Sequence, residues 1–184
     1  MHAYLILLRG INVGGKNKLP MAGLKLFLEE QGCTNVTTYI QSGNVILQSN
    51  LDARALSQKI EENLPRKFKL DSSIVKAVVL TKKELQRIVN NRPTGFGDQP
   101  EKYHSDAIFL IGMKAAQAMP VFSPREGVDQ VWPGDGVIYL QRLSAQRTKS
   151  RLSKIVGTPA YQCMTIRNWN TTTKLLDMLE KIDA

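Results

Sequence analysis

Cysteine is scarce: Cys33 and Cys163 lie far apart and lack any C-x-x-C partner. That argues against a disulfide framework or a cysteine-based zinc site and fits a reducing, cytoplasmic setting. Histidine is as sparse, at His2 and His104, and no H-x-x-x-H pair or acidic cluster argues for a metal. Asp106 stands two residues from His104, but no spacing singles out a catalytic triad. No apolar run exceeds six residues, so none can span a bilayer and no membrane partner is expected. The N-terminus lacks a basic start, a long apolar stretch and a small-residue cleavage site, so no signal peptide is expected. Aromatics make up 7% of the chain, too few to space rings along a strand as RNA-recognition motifs do.

Acidic residues are missing from two windows, before Glu29 and from Gly136 to Lys174. Residues 1–92 carry 14 Lys/Arg against 7 Asp/Glu, and residues 93–184 carry 11 against 9. The formal charge of +9 is therefore concentrated locally, and a positive face would attract phosphate, nucleic acid or an acidic substrate.

The apolar run Ala3 to Leu8 predicts a buried strand. A helical stripe follows through Met21, Leu24, Phe27 and Leu28, with Pro20 at its start and Gly32 beyond its end. Val36–Ile40 and Asn44–Leu47 predict two strands, with Ser42-Gly43 as a tight hairpin between them. Leu56, Ile60, Leu64 and Phe68 recur every four residues, which predicts an amphipathic helix. Ile74–Leu80 predicts a strand, and Thr81 with Glu84 a capping box opening another helix. Asn90 to Tyr103, with two Pro, two Gly and no apolar period, predicts a linker. Beyond it come a strand at Ala107–Ile111, a weak helix at Met113–Met119 and strands at Asp129–Trp132 and Val137–Leu140. A short helix through Leu152 to Gly157, a strand at Gln162–Ile166 and a helix at Thr171–Ile182 complete the pattern. The order β-α-β-β-α-β-α, then its repeat, predicts an α+β fold of two ferredoxin-like subdomains related by structural duplication. Their expected extents are 1–91 and 104–184, joined by residues 92–103.

Three polar stretches stand out. RGINVGGKNK, from Arg9, satisfies G-x-x-x-x-G-K after a strand, but Asn17 occupies the position of the magnesium-binding hydroxyl and Pro20 starts the helix late. A looser anion-binding loop remains open beside plain chain reversal. TYIQSGNV places Gln41, Ser42 and Asn44 at a hairpin tip, where they serve a ligand or turn geometry. TIRNWNTTTK opens the last helix with Arg167, Asn168 and Asn170 at its positive end, and Trp169 reads as core rather than stacking platform.

These three motifs, in this order and spacing, resemble the hallmarks of the bacterial family named domain of unknown function 1697, from Tyr4 to Leu176. The resemblance implies an α+β protein of two ferredoxin-like subdomains; it supplies no activity and no cofactor. It favours one shared polar site over three structural accidents. The expected ligand contacts are the cations Arg9, Lys16 and Arg167 and the directional groups Asn12, Asn17, Gln41, Ser42, Asn44, Asn168 and Asn170. The expected ligand is a small phosphorylated or nucleotide-like molecule in a cleft between the subdomains. The alternatives are an RNA-binding module and a protein-interaction module without ligand.

Overall fold

The computed structural model describes residues 1–182, so the last two residues expected in the second subdomain lie outside the described range. The chain divides into two compact units, Met1–Gln86 with the chain from Lys174 onward, and Arg87–Thr173.

In the first unit the elements run β1 (His2–Arg9), α1 (Met21–Glu30), β2 (Thr34–Tyr39), β3 (Asn44–Ser49), α2 (Ala53–Phe68), β4 (Lys76–Thr81) and the start of α3 (Lys82–Asn90). The four strands form one antiparallel sheet in the order β2-β3-β1-β4. Alternate residues of β1 (Tyr4, Ile6 and Leu8) meet Leu24, Phe27 and Leu28 of α1 and Leu56, Ile60 and Leu64 of α2 in one core. Each such side chain contributes roughly 1.5–3 kcal/mol on burial. Asp52 caps α2 by accepting from the Ala55 N–H at 2.8 Å. The capping box at Thr81 is formed: its N–H donates to Glu84 Oε2 at 2.8 Å, and the Glu84 N–H donates back to Thr81 Oγ1 at 3.3 Å.

The second unit repeats the plan with β5 (Tyr103–Leu110), α4 (Ala115–Ala118), β6 (Asp129–Pro133), β7 (Val137–Leu143), β8 (Met164–Asn168) and the start of α5 (Trp169–Lys181). Its sheet order, β6-β7-β5-β8, is the first sheet's order with each strand replaced by its counterpart. The fold is α+β and duplicated. The copies differ in their crossovers. Where the first unit has α2, the second has three 3-10 segments, Ser144–Lys149, Leu152–Gly157 and Pro159–Cys163. Leu152 and Ile155 still reach the core, against Ile108, Ile138, Leu140 and Met164. Several local boundaries shift: β4 starts at Lys76 rather than Ile74, β5 at Tyr103 rather than Ala107 and α5 at Trp169 rather than Thr171. The β2–β3 connection is four residues, Ile40–Gly43, because Tyr39 pairs with Asn44. The last strand starts two residues late, at Met164, because Pro159–Cys163 is a 3-10 segment.

Candidate functional site

At one end of the first sheet the motif RGINVGGKNK folds back on itself. The Asn12 N–H donates to Asn17 O and the Lys16 N–H to Val13 O, both at 3.0 Å. Gly14 and Gly15 have φ of +58° and +75°, so Val13–Lys16 is a two-glycine turn of the type I′ kind. The stretch that resembles a phosphate loop is therefore a projecting miniature hairpin.

The two asparagines flanking the turn build this hairpin. Asn12 Nδ2 donates to Leu19 O at 2.9 Å and Gln41 O at 3.1 Å, and Asn12 Oδ1 accepts from the Leu19 N–H at 2.7 Å. Asn17 Nδ2 donates to Gly10 O at 2.8 Å, and its Oδ1 accepts from the Asp71 N–H at 2.9 Å. Both occupy the left-handed region, at φ +54° and +45°, where asparagine is tolerated. Asn44 is buried and donates to Tyr39 O at 3.0 Å and Ser42 Oγ at 2.9 Å. Arg9 donates to Ile74 O at 3.1 Å. Three of these side chains expected to contact a ligand, Arg9, Asn12 and Asn17, tie the two loops and residues 71–74 to one another, and Asn44 braces the β2–β3 connection from within. Lys16 and Gln41 are exposed on the same loops. Asp71 is held below the usual carboxylate range by the hydroxyl and N–H of Ser73, with Lys16 nearby.

Replacing Asn12 by alanine should cost about 1–3 kcal/mol for the orphaned Leu19 and Gln41 groups. About 1 kcal/mol more should follow from placing alanine in the left-handed region. Urea titration of Asn12→Ala beside Asn12→Gly, which relieves the backbone part alone, checks both amounts.

The third motif lies in the second unit and lines a cavity of about 120 Å³ with Gly97, Pro100, Tyr103, His104, Ser105, Asn168, Trp169 and Asn170. The cavity sits where β5 begins and α5 starts, and β5 and β8 are neighbours with Asp106 opposite Asn168. Asn168 links the two elements: Nδ2 donates to Ser105 O at 3.2 Å, and Oδ1 accepts from the Asn170 N–H at 3.0 Å. Trp169 is buried, its ring centroid 5.0 Å from Phe96 and 6.2 Å from Tyr139. It is core, with one side left to line the cavity. Tyr139 anchors the cluster by donating to Ile88 O at 2.7 Å, and burial pushes its hydroxyl up to about 12.

His104 brings the ionisable chemistry. Its Nε2 lies 3.1 Å from Asp106 Oδ1, and Arg142 lies 3.9 Å from Asp106 Oδ2. Strand alternation puts His104 and Asp106 on one face, and antiparallel register sets Arg142 opposite His104. Burial raises the Asp106 carboxyl above its ordinary 3.8, while His104 and Arg142 pull it down in part. A raised carboxyl stabilises the fold below pH 3.8 and loses that contribution as pH climbs through its folded value; ionised Asp106 is thus a net cost near neutrality.

Arg167, expected to offer its charge to a ligand, is buried on β8. It donates to Thr165 Oγ1 at 2.9 Å and Ile166 O at 2.8 Å, and desolvation lowers its guanidinium to about 10. The cavity residues outside the third motif, Gly97, Pro100 and Tyr103 to Ser105, come from the expected linker and the start of β5, and only the His104–Asp106 spacing hinted at them. Among the described residues, no three His, Cys, Asp or Glu side chains gather as a metal site, and no helix is long and apolar enough to cross a membrane.

The model of a family described as a protein of unknown function, DUF1697, matches residues 1–139. Among solved structures, the chain is similar to the conserved bacterial protein SP0830 from Streptococcus pneumoniae. Identity is 27% and the TM-score 0.78, over 97% of this chain and 98% of the other. No curated protein matches.

Proposed function

We propose that this chain, which belongs to the family of unknown function DUF1697, binds a small phosphorylated ligand whose anionic group enters the cavity of the second unit. The observation that carries this reading is the lining itself: His104, Asn168 and Asn170 surround one small polar hollow at the start of a 13-residue helix. The positive end of the helix dipole, with first-turn N–H groups other than that of Asn170, which Asn168 caps, favours an oxyanion there. Trp169 and Tyr103 supply flat apolar walls for the ring or chain that carries the phosphate.

A second reading, nucleic-acid binding, draws on the first unit. Its hairpin tip displays Val13, 68% exposed, with the exposed cations Lys16 and Lys18. The neighbouring turn displays Ile40, 52% exposed at φ +48°, a conformation unfavourable for a β-branched side chain. A rigid cationic tip with two aliphatic side chains suits a phosphate backbone with wedges between bases.

A two-dimensional NMR titration separates the two. Inorganic phosphate and simple phosphomonoesters should move the Trp169 indole and the Asn168 and Asn170 amides, and Asn170→Ala should weaken that response. A response to RNA oligomers centred on Val13–Lys16, fading steeply between low and physiological salt, would replace the first reading by the second.

A further inference from the structure

The cavity contains one group whose hydrogen-bonding character changes with pH. Asp106 takes up one nitrogen of His104, since Nε2 lies 3.1 Å from its Oδ1. The carboxylate is itself fixed: its side chain is 14% exposed, with the Arg142 guanidinium 3.9 Å from its other oxygen. The imidazole is 42% exposed and forms part of the cavity wall. With Nε2–H directed at Asp106, Nδ1 of a neutral ring offers a lone pair, which repels an oxyanion. Only a protonated ring offers N–H at Nδ1 while keeping Nε2–H on the carboxylate.

From this geometry, and resting on the phosphate-binding reading above, we infer that the cavity takes up its oxyanion together with a proton, His104 binding it as imidazolium and Asp106 acting as positioning residue. The proton comes from solvent, and no covalent bond is made or broken. The surrounding charges leave this role to His104. Asp106 on β5 and Arg142 on β7 face each other and partly compensate. Lys102, just before β5, lies with Nζ 5.1 Å from the Tyr103 ring centroid. Asp98, in the segment leading to the cavity, is paired with Arg92 at 2.9 Å. Asn168, Trp169 and Asn170 are uncharged.

The test uses the whole chain with sulfate and inorganic phosphate as probes. Sulfate keeps its charge across the pH range, so any pH dependence of its binding belongs to the protein. With His2 as the other histidine, imidazole NMR gives two assignable titrations. Saturating sulfate should raise the titration midpoint of His104 and leave His2 unmoved. Sulfate affinity should fall about tenfold per pH unit above that midpoint, as linkage to one proton requires. His104→Gln should abolish the pH dependence, and phosphate should then bind weakly at every pH. Asp106→Asn should keep its melting temperature at pH 7 yet weaken binding, because it no longer balances the imidazolium. If sulfate moves Trp169 and Asn170 while the His104 midpoint stays put, phosphate binding stands and the proton-coupled role of His104 is overturned. If neither probe moves any cavity resonance, both fall.

Discussion

Phe96→Ala should destabilise the second unit by about 3–5 kcal/mol, the usual cost of removing a fully buried phenyl ring. The ring is completely buried, with centroids 5.0 Å from Trp169, 5.2 Å from Tyr139 and 6.0 Å from Trp132, each pair edge-on. Edge-to-face pairs add about 0.5–1.5 kcal/mol beyond area, and three of them share this ring. Its backbone is pinned as well: the Phe96 N–H donates to Pro93 O at 3.0 Å, and Arg92 Nε donates to Phe96 O at 3.1 Å. A small domain holds about 5–15 kcal/mol in total, so the variant should lie close to unfolding. Both tryptophans border the ring, so urea titration followed by their fluorescence reads the loss directly. Phe96→Leu should recover part of it. A loss below about 1 kcal/mol would mean that Phe96 is not the centre of this cluster.

Gly10→Ala should be nearly as damaging to the first unit. Gly10 has φ +79°, and an added Cβ would lie 2.2 Å from the carbonyl oxygen of Ile74 and 2.7 Å from its carbon. The obstacle is backbone, so the chain must move where Arg9 pairs with Lys76. A left-handed alanine costs about 1–2 kcal/mol, and forced overpacking about 1–3 more. The shift would also strain the bonds from Arg9 to Ile74 O and from Asn17 to Gly10 O that seat the hairpin. Gly15→Ala is the control: φ is +75°, but nothing lies within 4 Å of its added Cβ. Thermal melts should show the left-handed cost alone for Gly15→Ala, about 1–2 kcal/mol, and about twice that loss for Gly10→Ala. Equal losses would remove the steric part of the argument.

Local features were legible in the chain wherever they depend on near neighbours. The four-residue spacing of Leu56, Ile60 and Leu64 made a helix because those side chains share one face. Thr81 and Glu84 found each other across three residues, as a capping box does. What the chain alone does not show depends on partners that are distant in sequence. Asn12 bonds Gln41 and Asn17 bonds Asp71, 29 and 54 positions away, and that bracing of the loop is invisible in the linear chain. Asn90 to Tyr103 has no period and so resembled a spacer, yet Phe96 within it is wholly buried by rings from Trp132, Tyr139 and Trp169.

The sequence by itself determined two split βαβ layers, their strands and most helix starts, because period and capping are properties of adjacent residues. It also singled out the polar stretches. Only the tertiary structure decided which polar groups are bonded within the protein and which are exposed. Strand pairing turns Arg167 into the interior and sets His104 beside Asp106 and across from Arg142. The physical reason is that a polar side chain bonds whatever the fold brings within about 3 Å, and that neighbour is chosen by sheet register, not by sequence distance.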